Sequence, residues 1–289
     1  MTDDLYFHIS RIMEIEIADK LSALAHPNRL ALFRLLMRRY PDAVPAGEIA
    51  AALAFKANTA SAYLSVLKQA GLISQHRTGT SLMYTADLPG LRGLFDDLLS
   101  GCCQNRPDIC ATAGTGAMPV PTADRPLNVL FICTGNSARS LPAEAILNRE
   151  GGGRFRAYSA GTSPSPGPRP EVTALLQAKG YDTASLRAKD LGAFSSPEAP
   201  QMDFVFTVCD HAANEECPAW PGQPMSAHWG LADPVKATGT DAERRLAFQQ
   251  AYGLLRNRIK AFVALPFETL DRMSLQHRVD DIGRVNSSD

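Results

Sequence analysis

A chain of 289 residues exceeds one ordinary core and suits two domains. With 45% hydrophobic and 20% charged residues it reads as soluble and globular, and no apolar run nears the roughly 20 residues of a membrane helix. The net charge of −1 excludes an overall basic signature, and the acidic Met1-Thr2-Asp3-Asp4 start lacks a signal-peptide pattern, so a cytoplasmic location without membrane contact is expected.

The first domain is expected over residues 1–110. Leu21, Leu24, Leu30, Leu32, Phe33, Leu35 and Leu36 form an apolar face, with His26-Pro27 opening a helix. Glu48–Leu53 reads as a short helix. Thr59–Ala70 reads as the next, capped by Asn58 and ended by Gly71. Leu72–Arg77, a Thr78-Gly79-Thr80 turn and Ser81–Thr85 read as a hairpin, and a last helix spans Leu88–Leu99. Between Lys20 and Thr85 stand eight basic side chains and only two acidic ones, Asp42 and Glu48, a local balance that suits a DNA-facing patch. Helix, helix, turn, helix, hairpin is the order of a winged helix-turn-helix. Its recognition helix would offer Asn58, Thr59, Ser61, Ala62 and Tyr63 to DNA, while Lys56, Lys68, His76 and Arg77 would meet phosphate. A helical protein-interaction domain is the alternative.

Residues 111–126, rich in Pro, Gly and small side chains, read as a linker. From 127 to 289 strands and helices alternate, which predicts an α/β domain with a four-stranded parallel sheet. The expected strands are Leu127–Cys133, Arg156–Ser159, Asp203–Cys209 and Met225–Trp229. The expected helices are Ser140–Arg149, Pro170–Lys179 and Asp241–Ala264, followed by a partly amphipathic tail from Pro266.

The strongest chemical signal is Cys133-Thr134-Gly135-Asn136-Ser137-Ala138-Arg139-Ser140, placed between an apolar strand and a helix. Loop amides at a helix N-terminus cradle an oxyanion, and the planar fork of Arg139 matches a tetrahedral one. The same positive field favours the Cys133 thiolate, and Ser140 can cap the helix and hydrogen-bond the sulfur. With Tyr158-Ser159-Ala160-Gly161 and His228-Trp229-Gly230-Leu231-Ala232-Asp233-Pro234, this loop resembles the low-molecular-weight tyrosine phosphatase fold. Within it, the thioredoxin-coupled type of arsenate reductase is the better likeness. Ala138 stands where many relatives carry a second cysteine.

That resemblance implies arsenate as substrate, Cys133 as nucleophile and Asp233 as general acid. It further implies a relay in which Cys209 and Cys217 accept the disulfide for reduction by thioredoxin or glutaredoxin, with no tightly bound cofactor. Two features separate it from a phosphatase. Cys209 and Cys217 flank a polar segment, and Val235-Lys236 follows Asp233-Pro234 where phosphatases usually place tyrosines. His228 and Trp229 read as packing beneath the acid loop.

In the first domain, Leu24-Ala25-His26-Pro27-Asn28-Arg29-Leu30 and Leu67–Ile73 resemble the arsenic-responsive ArsR/SmtB repressors. The resemblance implies a homodimer on operator DNA. Cys102, Cys103 and Cys110 resemble the arsenite site of a subset of that family, with arsenite as inducer. Trivalent arsenic favours three soft thiolates. The leading expectation is a fused arsenite-responsive repressor and arsenate reductase. The alternatives are a tyrosine phosphatase, and a repressor with an inactive oxyanion-sensing domain.

Overall fold

The computed structural model describes residues 15–99, 120–194, 196, 198–215, 220 and 223–284. Cys102, Cys103, Cys110, Cys217 and most of the expected linker lie outside the described residues. The chain divides into two compact units, Met1–Ala113 and Gly114–Asp289.

The N-terminal unit has helix α1 over residues 15–24, α2 (Pro27–Arg39), strand β1 (Val44–Pro45), α3 (Ala46–Ala52), α4 (Ala57–Gln69), β2 (Ile73–Thr78), β3 (Ser81–Ala86) and α5 (Leu88–Asp97). His26 caps α2 as its Nδ1 accepts from the Asn28 amide at 3.2 Å, and Pro27 occupies the first turn where no amide is needed. Arg29 donates to the carbonyls of Ala23 and Ser22 at the end of α1 and so ties the two helices together. Leu32, Leu35, Leu36, Ile49, Leu64, Leu67 and Leu72 form the core. Two expectations need correcting. Leu21 is 43% exposed and stands outside the core. Asn58 is no cap, because α4 starts at Ala57 behind Lys56, without a side-chain cap. The strand Val44–Pro45, too short for any periodicity, pairs with β3 and gives a sheet ordered β1-β3-β2. Its hairpin turns tightly at Gly79, whose φ of 59° favours glycine.

The C-terminal unit contains β4 (Leu127–Cys133), α6 (Ser140–Glu150), β5 (Phe155–Gly161), α7 (Pro170–Ala178), β6 (Phe204–Thr207), α8 (Asp210–Asn214), β7 (Met225–His228), α9 (Asp241–Val263) and α10 (Arg272–Arg284). Its sheet is four-stranded and parallel, as the alternating pattern predicts, and the strands lie in the order β5-β4-β6-β7. Central β4 is apolar almost throughout because a strand within such a sheet is covered on both faces. Phe131, Phe204, Phe206, Trp229 and Phe262 meet in the core, with Phe206 and Trp229 stacked at 4.1 Å. β6 is shorter than expected, since Val208 and Cys209 leave the strand to start α8. The partly amphipathic tail contains a helix. Helix α10 buries Leu275, Val279 and Ile282, and the Val279 carbonyl accepts from the Trp229 indole at 3.0 Å.

Candidate active site

Strand β4 ends at Cys133, 2% exposed, and the chain turns through 134–139 into α6. The turn depends on Asn136, whose φ of +44° is one that asparagine tolerates better than most side chains. Asn136 is fully buried. Its Nδ2 donates to Ser140 Oγ and Ser159 Oγ, each at 2.8 Å, and its Oδ1 accepts from the Lys189 amide at 2.7 Å. Ser140 Oγ lies 3.0 Å from Cys133 Sγ. Ser140 is the first residue of α6 rather than its cap, a place Arg139 holds without a side-chain bond. Among the described residues, none of the amides from Thr134 to Arg139 has a protein acceptor. Together they form a concave donor set of the kind that binds oxyanions.

Arg139 reaches over this loop. Its Nη2 donates to Asp233 Oδ2 at 3.0 Å, and its buried Nε has no partner. Asp233 precedes a 3-10 turn (Pro234–Lys236), and its Oδ1 accepts from the Val235 amide at 3.1 Å. This short turn fixes the carboxylate against Arg139. Beside it runs a groove of about 510 Å³, lined by Leu231, Asp233, Lys236, Ala247, Gln250 and Leu254 among others, none of them aromatic.

Cys209 is fully buried where β6 hands over to α8, and its sulfur accepts from the Ala212 amide at 3.4 Å. The same sulfur lies 3.5 Å from Thr134 Oγ1, so the second thiol touches the loop of the first. The structure thus brings together Cys133, the loop through Ser140, Asp233 and Cys209.

In the N-terminal unit, Lys56, Asn58, Ser61, Ala62, Lys68, His76 and Arg77 are exposed along α4 and the hairpin, and Thr59 is half-buried. Tyr63 behaves differently. Its ring packs 5.1 Å from His26 and 5.5 Å from Phe55, and its hydroxyl accepts from Asn28 Nδ2 at 3.2 Å. Lys68 is also engaged, donating to Gln75 Oε1 at 3.0 Å.

Residues 128–275, more than half of the chain, match the family model of the low molecular weight phosphotyrosine protein phosphatases. The chain belongs to that family. Similar proteins include the arsenate reductases of Halalkalibacterium halodurans, 35% identical, and Bacillus subtilis, 34% identical, each over 134 residues that span 46% of this chain and 93% of the relative. Among solved structures, an arsenate reductase from Archaeoglobus fulgidus is 23% identical, covering 47% of this chain and 99% of its own, with a TM-score of 0.39. Residues 24–76 match a helix-turn-helix domain model. The homodimeric winged helix-turn-helix domain of a possible ArsR-family regulator from Mycobacterium bovis is 26% identical, covering 32% of this chain and 88% of its own, with a TM-score of 0.26. With α2 to α4 followed by the β2–β3 hairpin, the N-terminal part is a winged helix-turn-helix domain, joined to a phosphatase-family domain.

Sequence reasoning missed the groups behind this family's loop. Glu144 accepts from the Ser159 hydroxyl and, at 2.8 Å, from Lys189 Nζ. A continuous chain of bonds therefore runs Lys189–Glu144–Ser159–Asn136–Ser140–Cys133. Glu144 carried one signal, its place four residues after Ser140 on the same helix face. Lys189 lies outside any periodic segment and carried none.

Proposed function

We propose that the C-terminal domain reduces arsenate to arsenite and that the N-terminal domain is an arsenite-responsive repressor. The observation that carries the first part is the contact between Cys209 Sγ and Thr134 Oγ1. A phosphatase needs no buried thiol there, whereas a reductase needs a second sulfur within reach of the first. Val235-Lys236, where related phosphatases usually place tyrosines, also favours a small oxyanion over an aryl phosphate.

Arsenate sits on the amides from Thr134 to Arg139, and the Arg139 fork turns from Asp233 toward its oxygens. The Cys133 thiolate attacks arsenic, forming a sulfur–arsenic bond. An arsenic–oxygen bond breaks, and protonated Asp233, no longer tied to Arg139, supplies the proton with which that oxygen leaves as water. The Cys209 thiolate then attacks Cys133 Sγ. A disulfide forms, the sulfur–arsenic bond breaks, and its electron pair stays on arsenic, which departs as arsenite. Cys217 exchanges into the disulfide and frees Cys133, and a thioredoxin- or glutaredoxin-like dithiol supplies the two electrons that restore the enzyme.

The repressor reading draws on the exposed recognition surface and on Ile15, Leu21 and Phe95, 55%, 43% and 53% exposed on α1 and α5. Apolar side chains left bare on the two terminal helices suit a homodimer on operator DNA. Arsenite held by Cys102, Cys103 and Cys110 would be the inducer, so that the product of one domain releases the other.

The test is turnover with arsenate, thioredoxin and thioredoxin reductase. Cys133→Ser should abolish it, because an alcohol does not ionise near neutral pH. Cys217→Ser should complete about one turnover and stop with a Cys133–Cys209 disulfide visible by mass spectrometry. Sustained turnover in either variant refutes the relay, and faster hydrolysis of p-nitrophenyl phosphate than reduction of arsenate favours a phosphatase.

A further inference from the structure

The Cys209 helix is fastened at its first residue. Asp210 Oδ1 lies 3.1 Å from His228 Nε2, and His228 Nδ1 lies 2.8 Å from Thr207 Oγ1. A carboxylate only accepts, so Nε2 carries the proton and Nδ1 of the neutral ring accepts from the threonine hydroxyl. The imidazole is wholly buried, while Asp210 is 57% exposed. One ring therefore bonds to residues on both sides of Cys209, two before it and one after.

Space for this contact is reserved by Gly230. A Cβ there would come within 2.5 Å of His228 Nε2 and 2.8 Å of Asp210 Oδ1. Gly283 closes against the backbone of the same histidine, where a Cβ would stand 2.5 Å from the His228 carbonyl oxygen. The ring thus has little freedom to turn. His228 also ends β7, five residues before Asp233, so a single side chain links the Cys209 helix to the strand that leads into the acid loop.

We propose that His228 is a positioning residue that latches α8 through Asp210. The latch holds Cys209 beside the nucleophile loop for attack on Cys133 and restrains its exit until the disulfide has formed. While α8 is held, the Cys209 sulfur keeps its bond from the Ala212 amide. Once Asp210 leaves His228, the first turn of α8 loses its side-chain tie to β7. This role rests on the relay reading above.

Alkylation and disulfide closure test it in the full-length protein. Asp210→Ala and Gly230→Ala should each speed iodoacetamide labelling of Cys209, followed by peptide mass spectrometry, by about two- to tenfold, the range spanned by one hydrogen bond. Labelling of Cys133 should not change. In the Cys217→Ser background both substitutions should slow arsenate-driven closure of the Cys133–Cys209 disulfide by a similar factor. Asp210→Asn should restore both rates, since an amide oxygen still accepts from Nε2. Equal Cys209 labelling across these variants, with the disulfide still forming, refutes the latch alone. Equal acceleration at Cys133 and Cys209 also refutes it, as general loosening. No disulfide in Cys217→Ser with the latch intact refutes the relay instead.

Discussion

Gly161 offers a direct test of how closely the nucleophile loop is held. It ends β5 opposite Cys133, and its amide donates to the Lys189 carbonyl at 2.8 Å. A Cβ at this position would lie 2.6 Å from the Thr134 carbonyl oxygen and 3.1 Å from both the amide nitrogen and Cβ of Asn136. All three atoms are backbone or next to it, so no flexible side chain can give way. Restoring an ordinary carbon–oxygen contact of about 3.3 Å moves the 134–136 segment by roughly 0.5–1 Å. Displacements of about 1 Å cost on the order of a hundredfold in rate when reacting atoms must meet in line. Gly161→Ala should therefore lower the single-turnover rate of arsenate reduction by about ten- to a hundredfold. Overpacking of this kind costs about 1–3 kcal/mol of stability, enough to lower Tm but not to unfold the domain. Rapid quench on the Cys217→Ser background, with arsenite and disulfide quantified, gives the rate; differential scanning fluorimetry gives Tm. A rate within twofold of the parent alongside a lowered Tm would refute the reasoning, since strain would then be absorbed without moving the nucleophile.

Asp233→Asn should slow the first chemical step by roughly two to four orders of magnitude while leaving oxyanion binding nearly intact, and an unchanged single-turnover rate would assign the proton to another group. Burial pushes the Asp280 carboxyl up to about 6 from 3.8, against smaller opposing effects of Gln276, Arg284 and His277. A raised folded-state value means the native protein binds the proton more tightly, so stability falls as pH rises from about 4 to about 6 and is level above. Asp280→Asn should therefore raise stability at pH 8 by about 1–3 kcal/mol, with the gain fading below pH 4; urea melts at both pH values check this. Replacing Cys102, Cys103 and Cys110 with serine should keep DNA binding in a mobility-shift assay and remove its release by arsenite, with reductase turnover unchanged. Arsenite-sensitive binding in that variant would place the sensor elsewhere.

Much of this protein follows from short stretches of sequence. Leu127–Cys133 is apolar except at Asn128, and a strand covered on both faces must be nearly so, so its place in a parallel sheet is legible. The Cys133–Ser140 loop could be read because its work is done by consecutive backbone amides and one arginine, and their order is the order of the chain. The same holds for the hairpin at Gly79 and for the start of α2 at His26-Pro27. Other features depend on residues that only folding brings together. The span of α10 reads only as a partly amphipathic tail because its apolar residues are few, and its buried side is defined by β7 and Trp229. The Glu144–Lys189 pair joins positions 45 residues apart, and His228 finds Asp210 across 18. The position of Tyr63 on α4 suggests the DNA surface, while its ring contacts with His26 and Phe55 and its bond from Asn28 come only with the fold. Local pattern determined the elements and the loop chemistry, because both are set by neighbours along the chain. The groups that orient the nucleophile and hold the second thiol were decided by tertiary structure, because buried polar atoms must find partners wherever the fold happens to bring them.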